Sequence, residues 1–178
     1  MSDNKDLYEQ SKDQMRLSER VAAALPGFRG YKEKEIRRES DKLIRNHLYL
    51  KLSKERNDLK DIFQKLADRR YMDVLTDMDR LMAKVDRVVE KVNHASYGYS
   101  GFFDLVKVRE ENLDRMIDFD NKLMDGVNSL TAAVDTLKAD VAQNEFKNSK
   151  DEIQTIVSEV ETFEGTLDKR EEVILGVS

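Results

Sequence analysis

The 178-residue sequence contains no cysteine, no tryptophan, one proline and seven glycines. Without cysteine there is no disulfide, no thiolate nucleophile and no cysteine-ligated zinc or iron–sulfur centre. No run of residues approaches the roughly 20 consecutive apolar side chains that cross a membrane as a helix. The first ten residues, MSDNKDLYEQ, lack the apolar core of a secretory signal. Together these absences predict a cytoplasmic protein.

Charged side chains, by contrast, are abundant and unevenly distributed. They make up 38% of the chain, against about 25% in an average globular domain. Residues 28–60 carry eleven basic and six acidic side chains, whereas residues 100–178 carry nine basic and eighteen acidic ones. So many solvated positions favour long helices around a thin core. The basic and acidic segments either complement each other within one bundle or face different partners.

Apolar side chains recur with the period of a helix along most of the chain. The clearest row alternates steps of four and three residues: Ala67, Tyr71, Val74, Met78, Leu81, Val85, Val88 and Val92. Similar rows run from Leu113 to Val141 and from Ile153 to Leu167. This spacing is typical of heptads. It predicts an all-α protein, an elongated antiparallel bundle or coiled-coil hairpin with additional packed helices.

Breaks between these rows divide one predicted domain into helices. The only proline, Pro26, begins the first break, and a segment with two glycines (95–101) forms the second. The predicted segments are a short N-terminal helix at 1–24 and longer helices at 31–94, 102–143 and 149–172.

Three local features follow from the same rows. The apolar row loses register between Leu52 and Leu59, which predicts a kink or break in the second helix near 53–58; without one, residues 31–94 form a single helix. The remainder of that helix, 57–94, is expected to pair antiparallel with 102–143. At the start of the last helix, Ser149 and Glu152 have the spacing of a capping box, in which each side chain bonds to the other's backbone N–H.

The two histidines do not fit a metal or catalytic site. Di-metal sites in helical bundles use Glu-x-x-His motifs, but no glutamate stands three residues before His47 or His94. Glu90 and His94 have the i,i+4 spacing of a salt bridge along a helix. The residues between Gly98 and Gly101 are not followed by the Lys-Ser/Thr of a phosphate loop. The sequence therefore predicts no catalytic residue, no metal site and no cofactor, hence a protein that is not an enzyme.

Asp120 stands in the apolar row of the helix at 102–143, between Met116 and Leu123. If it is buried, it needs a basic partner on a facing helix. Alternatively the row rotates outward here, so that Ile117 and Met124 face the core and Asp120 is solvated, because a straight helix drifts relative to a heptad.

The two predicted breaks combine aromatic residues with glycine, and the first is followed by basic residues. Loops carry function more often than core faces do, so both segments are candidates for a partner-binding surface. The candidate residues are Phe28, Arg29, Tyr31, Lys32, Arg37, Arg38, Tyr97 and Tyr99. We expect the two aromatic segments to meet at one end of the bundle. They then form either an end-cap for the core or a partner-binding surface, and the basic run is otherwise a solvated helix face.

Two stretches carry a resemblance: LPGFRGYKEKEIRRESDKLIR (25–45) and YGYSGFFDLVKVREENLDRMIDFD (97–120). They resemble segments of a family of uncharacterised helical proteins from bacteria and archaea. That family has no assigned activity, so the resemblance implies no functional residue. In architecture alone, a long helical hairpin with a short N-terminal helix also resembles the phage-shock-protein-A class of membrane-surface proteins.

The first functional hypothesis is a non-enzymatic helical bundle that binds a protein partner or self-associates. The second is a peripheral membrane protein that binds anionic lipid through residues 1–45. The third is a weak nucleic-acid binder that uses Arg29 to Arg45. The interleaved acidic residues and an isoelectric point of about 5.3 disfavour nucleic acid, because nucleic-acid-binding domains are usually strongly basic.

Overall fold

The computed structural model describes the backbone of residues 34–95 and 110–175 and the side chains of residues 42–95 and 115–173. Of the described residues, 93% are helical and none lies in a strand, which confirms the all-α prediction. The helices, in chain order, are α1 (Lys34–Asp68), α2 (Leu75–His94), α3 (Glu110–Gln143) and α4 (Ser149–Leu175). The helix predicted at 1–24 lies outside the described residues.

The helix α1 continues without interruption through residues 53–58, so the break predicted there is wrong. The buried side chains on this helix include Leu52, Glu55 and Leu59, which are spaced by three and four residues. The apolar row is therefore continuous in space. It lost register in the sequence because Glu55, a charged residue, occupies one of its core positions.

The chain instead breaks at residues 69–74, inside the row that the sequence presented as one helix. Arg70 adopts a left-handed conformation with φ of 58°. The Tyr71 N–H bonds to the Leu66 carbonyl at 3.0 Å and the Arg70 N–H to the Ala67 carbonyl at 2.9 Å. These bonds form a Schellman motif, a helix end that usually places glycine at the left-handed position. No glycine or proline marked this break in the sequence.

The end of α3 uses the same motif with a residue better suited to it. Asn144 has φ of 63°, and the Glu145 N–H bonds to the Asp140 carbonyl at 2.9 Å. Asparagine tolerates the left-handed region better than most residues, which makes this break recognisable in the sequence. The break predicted between the helices at 102–143 and 149–172 is confirmed.

Two antiparallel hairpins, α1–α2 and α3–α4, pack side by side into a four-helix bundle. The helix α1 packs against α2 and α3, and α4 packs against the same two helices. Lys51 and Glu55 of α1 bond to Asn128 and Thr131 of α3, so α1 and α3 run parallel. The predicted antiparallel pairing of 57–94 with 102–143 is therefore wrong, because residues 57–94 belong to two helices and the part in α1 runs parallel to α3.

One apolar core fills the centre of the bundle, and the two hairpins contribute to it in the same pattern. Every buried residue from Leu123 to Leu167 has a buried counterpart 75 positions earlier, between Leu48 and Val92. The apolar rows predicted for α2, α3 and α4 are buried. Their first buried members are Val74, Met116 and Ile153. The hairpins share a burial pattern although their sequences differ.

The tips of the two hairpins are joined by contacts around one aromatic pair. The rings of Tyr71 and Phe146 stack with their centroids 4.9 Å apart. The Tyr71 hydroxyl donates to the Phe146 carbonyl at 3.1 Å, and the Arg69 guanidinium lies over the Phe146 ring. Arg69 also donates to the carbonyl of Val141, at the end of α3. These contacts align the ends of the hairpins and set the parallel register of α1 and α3.

Gly165 on α4 offers a test of helix stability. A Cβ atom added at this position would meet nothing within 4 Å. Because glycine in a helix interior is about 0.5–1 kcal/mol less favourable than alanine, Gly165→Ala is expected to raise the free energy of unfolding by that amount. Chemical denaturation followed by circular dichroism measures it. Gly126→Ala is the matched comparison, since its Cβ would lie 3.4 Å from Phe163 Cδ2 and its gain should be smaller.

Candidate functional site

Most of the residues predicted as a partner-binding surface lie outside the described residues. Phe28, Arg29, Tyr31 and Lys32 precede Lys34, and Tyr97 and Tyr99 fall between α2 and α3. Arg37 and Arg38 lie on α1, but the described side chains begin after them. The predicted meeting of the two aromatic segments concerns these same residues and stays a prediction.

The described part of α1 presents a second apolar surface that does not face the core. Leu43 is 39% exposed and Leu50 is 59% exposed. They are seven residues apart, so they lie on the same side of the helix, two turns from each other. Between them in sequence, Leu48 is buried and points into the core. Both sides of α1 are therefore apolar near residue 48.

A cavity of about 490 Å³ opens beside these leucines, between α1 and the end of α2. It lies near the end of α2, which terminates at His94, while α1 begins at Lys34. The cavity is lined by Lys42, Leu43, Arg45, Asn46, Tyr49, Val92 and Asn93. We call the α1 residues of this lining, together with Leu50, the outer α1 face.

The outer α1 face combines an apolar centre with a polar and basic rim. Lys42 and Arg45 supply positive charge, and Asn46 and Asn93 supply amide groups that both donate and accept hydrogen bonds. None of the described residues in this lining is acidic. The neighbouring His47 has its Nε2 atom buried without a hydrogen-bond partner. Burial lowers the pKa of His47, and the charge of Lys51 lowers it further.

The sequence contained one indication of this face. Ile36, Leu43 and Leu50 are spaced by seven residues, apart from the row that forms the core. Two apolar rows on one helix are difficult to separate by periodicity, because together they fill most of the helix circumference. Leu43, Leu50 and the cavity beside them were therefore not predicted from the sequence.

Asp120 lies in the interior, and only 1% of it is exposed. Its Oδ1 atom accepts a hydrogen bond of 2.6 Å from Nε of Arg170, which is equally buried on α4. The outward rotation considered as the alternative does not occur. The pair lies between the main core and a small apolar cluster of Met116 and Val173. This arrangement is the one that a buried carboxylate requires.

Glu55 is a second buried carboxylate, at the contact between α1 and α3. Its Oε1 atom accepts a hydrogen bond of 3.1 Å from the Thr131 hydroxyl and one of 3.2 Å from Lys54. One turn further along α1, Asp58 accepts hydrogen bonds from Lys54 at 2.9 Å and from Lys138 of α3 at 2.7 Å. These bonds lower the pKa of Asp58 against the opposing effect of burial, which is the largest single influence.

The contact between α2 and α4 carries a row of ion pairs. Lys84 pairs with Glu161, and Arg87 makes two hydrogen bonds to Glu164, at 2.8 and 3.1 Å. Lys91 pairs with Asp168 in the next turn. The basic side chains of this row belong to α2 and not to the basic segment 28–60, so the complementarity of segments 28–60 and 100–178 stays a prediction.

The capping box predicted at the start of α4 does not form. The helix begins at Ser149 as expected, but the buried Ser149 hydroxyl makes no hydrogen bond. The Glu152 N–H bonds instead to the Asn148 carbonyl at 3.0 Å. The Glu152 side chain lies beside Asp140 of α3. Burial and a shared hydrogen bond with Asp140 raise the pKa of Glu152 to about 7.

Within the described residues there is no group of three or more acidic or histidine side chains placed to hold a metal ion. His94 lies 3.3 Å from Glu90 in the i,i+4 salt-bridge geometry expected from the sequence. None of the described helices combines the length and apolar character that crossing a membrane requires. The buried carboxylates bond across contacts between helices, and the outer α1 face is our candidate for a functional site in the described part of the chain.

The Asp120–Arg170 pair is expected to show strong coupling. Asp120→Leu or Arg170→Met alone leaves one charge buried without its partner, so each should cost about 3–5 kcal/mol of unfolding free energy. The double variant removes both charges and should recover most of that loss. Chemical denaturation of the four proteins measures the coupling. Losses that simply add in the double variant would contradict the role given to the pair.

The Glu152 carboxyl is expected to make stability depend on pH near neutrality. Its pKa rises from an ordinary value of 4.5 to about 7 in the folded chain. The folded state then binds a proton more tightly than the unfolded state between these values, so the stabilisation is complete below pH 4.5 and is lost as the pH rises through 7. As the pH rises from 5 to 8, the melting temperature of Glu152→Gln should therefore increase relative to that of the native chain.

Glu159→Gln, on the same helix but distant from Asp140, is the control for this pH experiment. It removes one carboxyl from α4 without touching the Asp140–Glu152 pair. An equal gain in the two variants would show that the pair is not the source of the pH dependence.

No family model matches this chain, and no curated protein or solved structure is significantly similar to it. The resemblance of residues 25–45 and 97–120 to uncharacterised helical proteins therefore stays a prediction. The function has to be argued from the surface of the chain itself.

Proposed function

We propose that this chain is a non-enzymatic helical scaffold that binds a protein partner through the outer α1 face. The observation that carries the proposal is the exposure of Leu43 and Leu50, one heptad apart, beside an open cavity. Single exposed leucines are common on protein surfaces, but two on one stripe next to a concavity are typical of an interaction site.

The rigidity of the bundle supports this assignment. On the opposite side of α1, Ile44, Leu48 and Leu52 are each only 1% exposed. The outer α1 face is therefore held in place by the core before any partner arrives. A preformed surface binds at a lower cost in conformational entropy than a segment that must fold on binding.

The distribution of polar groups supports a binding role rather than catalysis. The buried carboxylates of Asp120 and Glu55 are engaged by Arg170 and Thr131, inside contacts between helices. Among the side chains that the structure describes, those lining the cavity at the outer α1 face include no acidic residue, serine or histidine. It offers shape, apolar surface and positive charge, which are the properties of a docking site.

Capture of partners from the native cell tests the proposal. The full chain with an affinity tag is compared with the Leu43→Asp/Leu50→Asp double variant, after chemical cross-linking in the cell. Both changes lie at exposed positions, so the melting temperature should stay within a few degrees of the native value. We expect proteins captured by the native chain to be lost from the double variant.

Met72→Asp is the matched control, because Met72 is 66% exposed and lies at the opposite end of the bundle. It introduces the same charge on an exposed apolar side chain. Partners lost equally from both variants, or retained by both, would refute a binding role for the outer α1 face.

A further inference from the structure

We propose that Asp140 and Glu152 form a proton-dependent contact that holds the tips of the two hairpins together. While the two carboxyls share one proton, the start of α4 stays bonded to the end of α3. When that proton leaves to water, the two negative charges repel each other and the contact between the hairpin tips opens. The inference concerns a local pH-sensitive switch and is independent of the binding role proposed for the outer α1 face.

The carboxyl pair lies at the base of the segment that joins α3 to α4. Asp140 is in the last turn of α3, which ends at Gln143, and Glu152 is in the first turn of α4, which begins at Ser149. Their side chains share a hydrogen bond across the contact between the two helices. The second carboxyl oxygen of Glu152, Oε2, is buried and makes no hydrogen bond. The pair therefore closes the loop that runs from residue 140 to residue 152.

The same loop makes the contacts that join the two hairpins. The Phe146 ring stacks on that of Tyr71 with the centroids 4.9 Å apart, and the Phe146 carbonyl accepts a hydrogen bond from the Tyr71 hydroxyl. The Val141 carbonyl accepts a hydrogen bond from Arg69. Val141 and Phe146 both lie within the loop that the two carboxyls close. Separation of the carboxyls therefore displaces the residues that hold the tip of the α1–α2 hairpin.

The start of α4 has no side-chain cap from Ser149 that could hold it once the carboxyls separate. The Ser149 hydroxyl is buried and makes no hydrogen bond. The Ser149 N–H bonds to the Phe146 carbonyl at 3.2 Å, the same carbonyl that accepts from Tyr71. A shift of the first turn of α4 is thus passed directly to the stacked rings.

Electrostatic repulsion makes the contact depend on a proton. Two carboxylates in a partly buried contact do not both ionise without a large cost, so the pair retains one proton to a higher pH than an isolated carboxyl does. Burial, the hydrogen bond to Asp140 and the charges of Asp140 and Asp151 raise the pKa of Glu152 to about 7. The pair therefore loses its shared proton near neutral pH.

The cations of the neighbouring helices are bonded to other groups. On α3, Lys138 bonds to Asp58 of α1 at 2.7 Å. On α2, Arg80 pairs with Asp77 at 3.8 Å. Arg69, at the end of α1, lies over the Phe146 ring.

The other charged side chains at this end of the bundle are exposed, so solvent screens their effect on the carboxyl pair. On the end of α1 and the turn after it they are Lys65, Asp68, Arg70 and Asp73. On α3, the connection to α4 and the first turn of α4 they are Asp135, Glu145, Lys147, Lys150 and Asp151.

Solution NMR of the full chain tests the inference. The carboxyl carbon signals of Asp140 and Glu152 follow the loss of the proton, and nuclear Overhauser effects between the Tyr71 and Phe146 rings report their contact. We expect ring contacts at pH 5.5 and their loss above about pH 7. The Ser149 amide should exchange with solvent roughly tenfold faster or more at pH 8.5 than at pH 5.5, after correction for the intrinsic effect of pH.

Three variants separate the carboxyl pair from other titrating groups. Glu152→Gln keeps a hydrogen-bonding side chain without the second negative charge, so its ring contacts should persist at both pH values. Glu152→Lys replaces the shared proton with an ion pair to Asp140 and should also keep the rings together at pH 8.5. Glu159→Gln, on the same helix, should behave like the native chain.

Ring contacts that persist at pH 8.5 in the native chain would overturn the inference, even if Glu152 titrates and the melting temperature falls. Equal loss of the contacts in the native chain and in Glu152→Gln would also overturn it, because another group would then be responsible. Far-UV circular dichroism distinguishes local opening from unfolding. A helical signal that collapses at pH 8.5 would contradict a switch confined to the hairpin tips.

Discussion

The bundle depends on the closure of four apolar stripes around one core. A helix with a single apolar stripe cannot remain folded alone in water, because most of its stability comes from packing that stripe against other helices. The helices α1 and α4 each contact α2 and α3, so every stripe meets two neighbours. The solvated remainder of each helix carries the high content of charge. The thin core and the abundance of charged residues are thus two consequences of the same architecture.

Within the apolar core, the buried polar groups determine how the helices are aligned with one another. Apolar rows with heptad spacing pack in several registers at similar cost, whereas a buried carboxylate is stable only opposite its partner. Asp120 opposite Arg170 aligns α3 with α4, and Glu55 opposite Thr131 aligns α1 with α3. On the surface between α2 and α4, ion pairs repeat the same parallel register. The polar contacts and the stacked rings at the hairpin tips therefore select one alignment among several.

The outer α1 face is unusual because it carries apolar side chains that the core does not bury. The inner side of α1 is buried, and its apolar residues are accounted for by the core. Leu43 and Leu50 belong to neither that core nor a described contact with another helix, and they stand where α2 has ended. Exposed leucines on a helix face, beside a cavity with a basic rim, form a surface that is suited to binding another molecule.

The helical class and most of the core followed from local pattern alone. The rows over α2, α3 and α4, the start of α4 at Ser149 and the break after Gln143 were all readable, because heptad spacing and an asparagine at a helix end have direct physical meaning. The errors have equally physical causes. Glu55 concealed a core position within α1, Arg70 ended that helix without glycine, and Ser149 is buried where its hydroxyl cannot cap.

The sequence by itself determined which residues avoid water, since the spacing of apolar side chains is a property of the chain. Only the tertiary structure decided which helices are neighbours. The buried positions of the two hairpins have the same spacing, 75 residues apart, so the sequence pattern allows the apolar stripe of each helix to pack against more than one other helix. It also decided that Asp120 is buried and not solvated, because that burial depends on a hydrogen bond from Arg170, which lies 50 positions away along the chain. The outer α1 face also depends on the tertiary structure. Leu43 and Leu50 are ordinary leucines in the sequence, and they become a surface because the core already occupies the other side of α1.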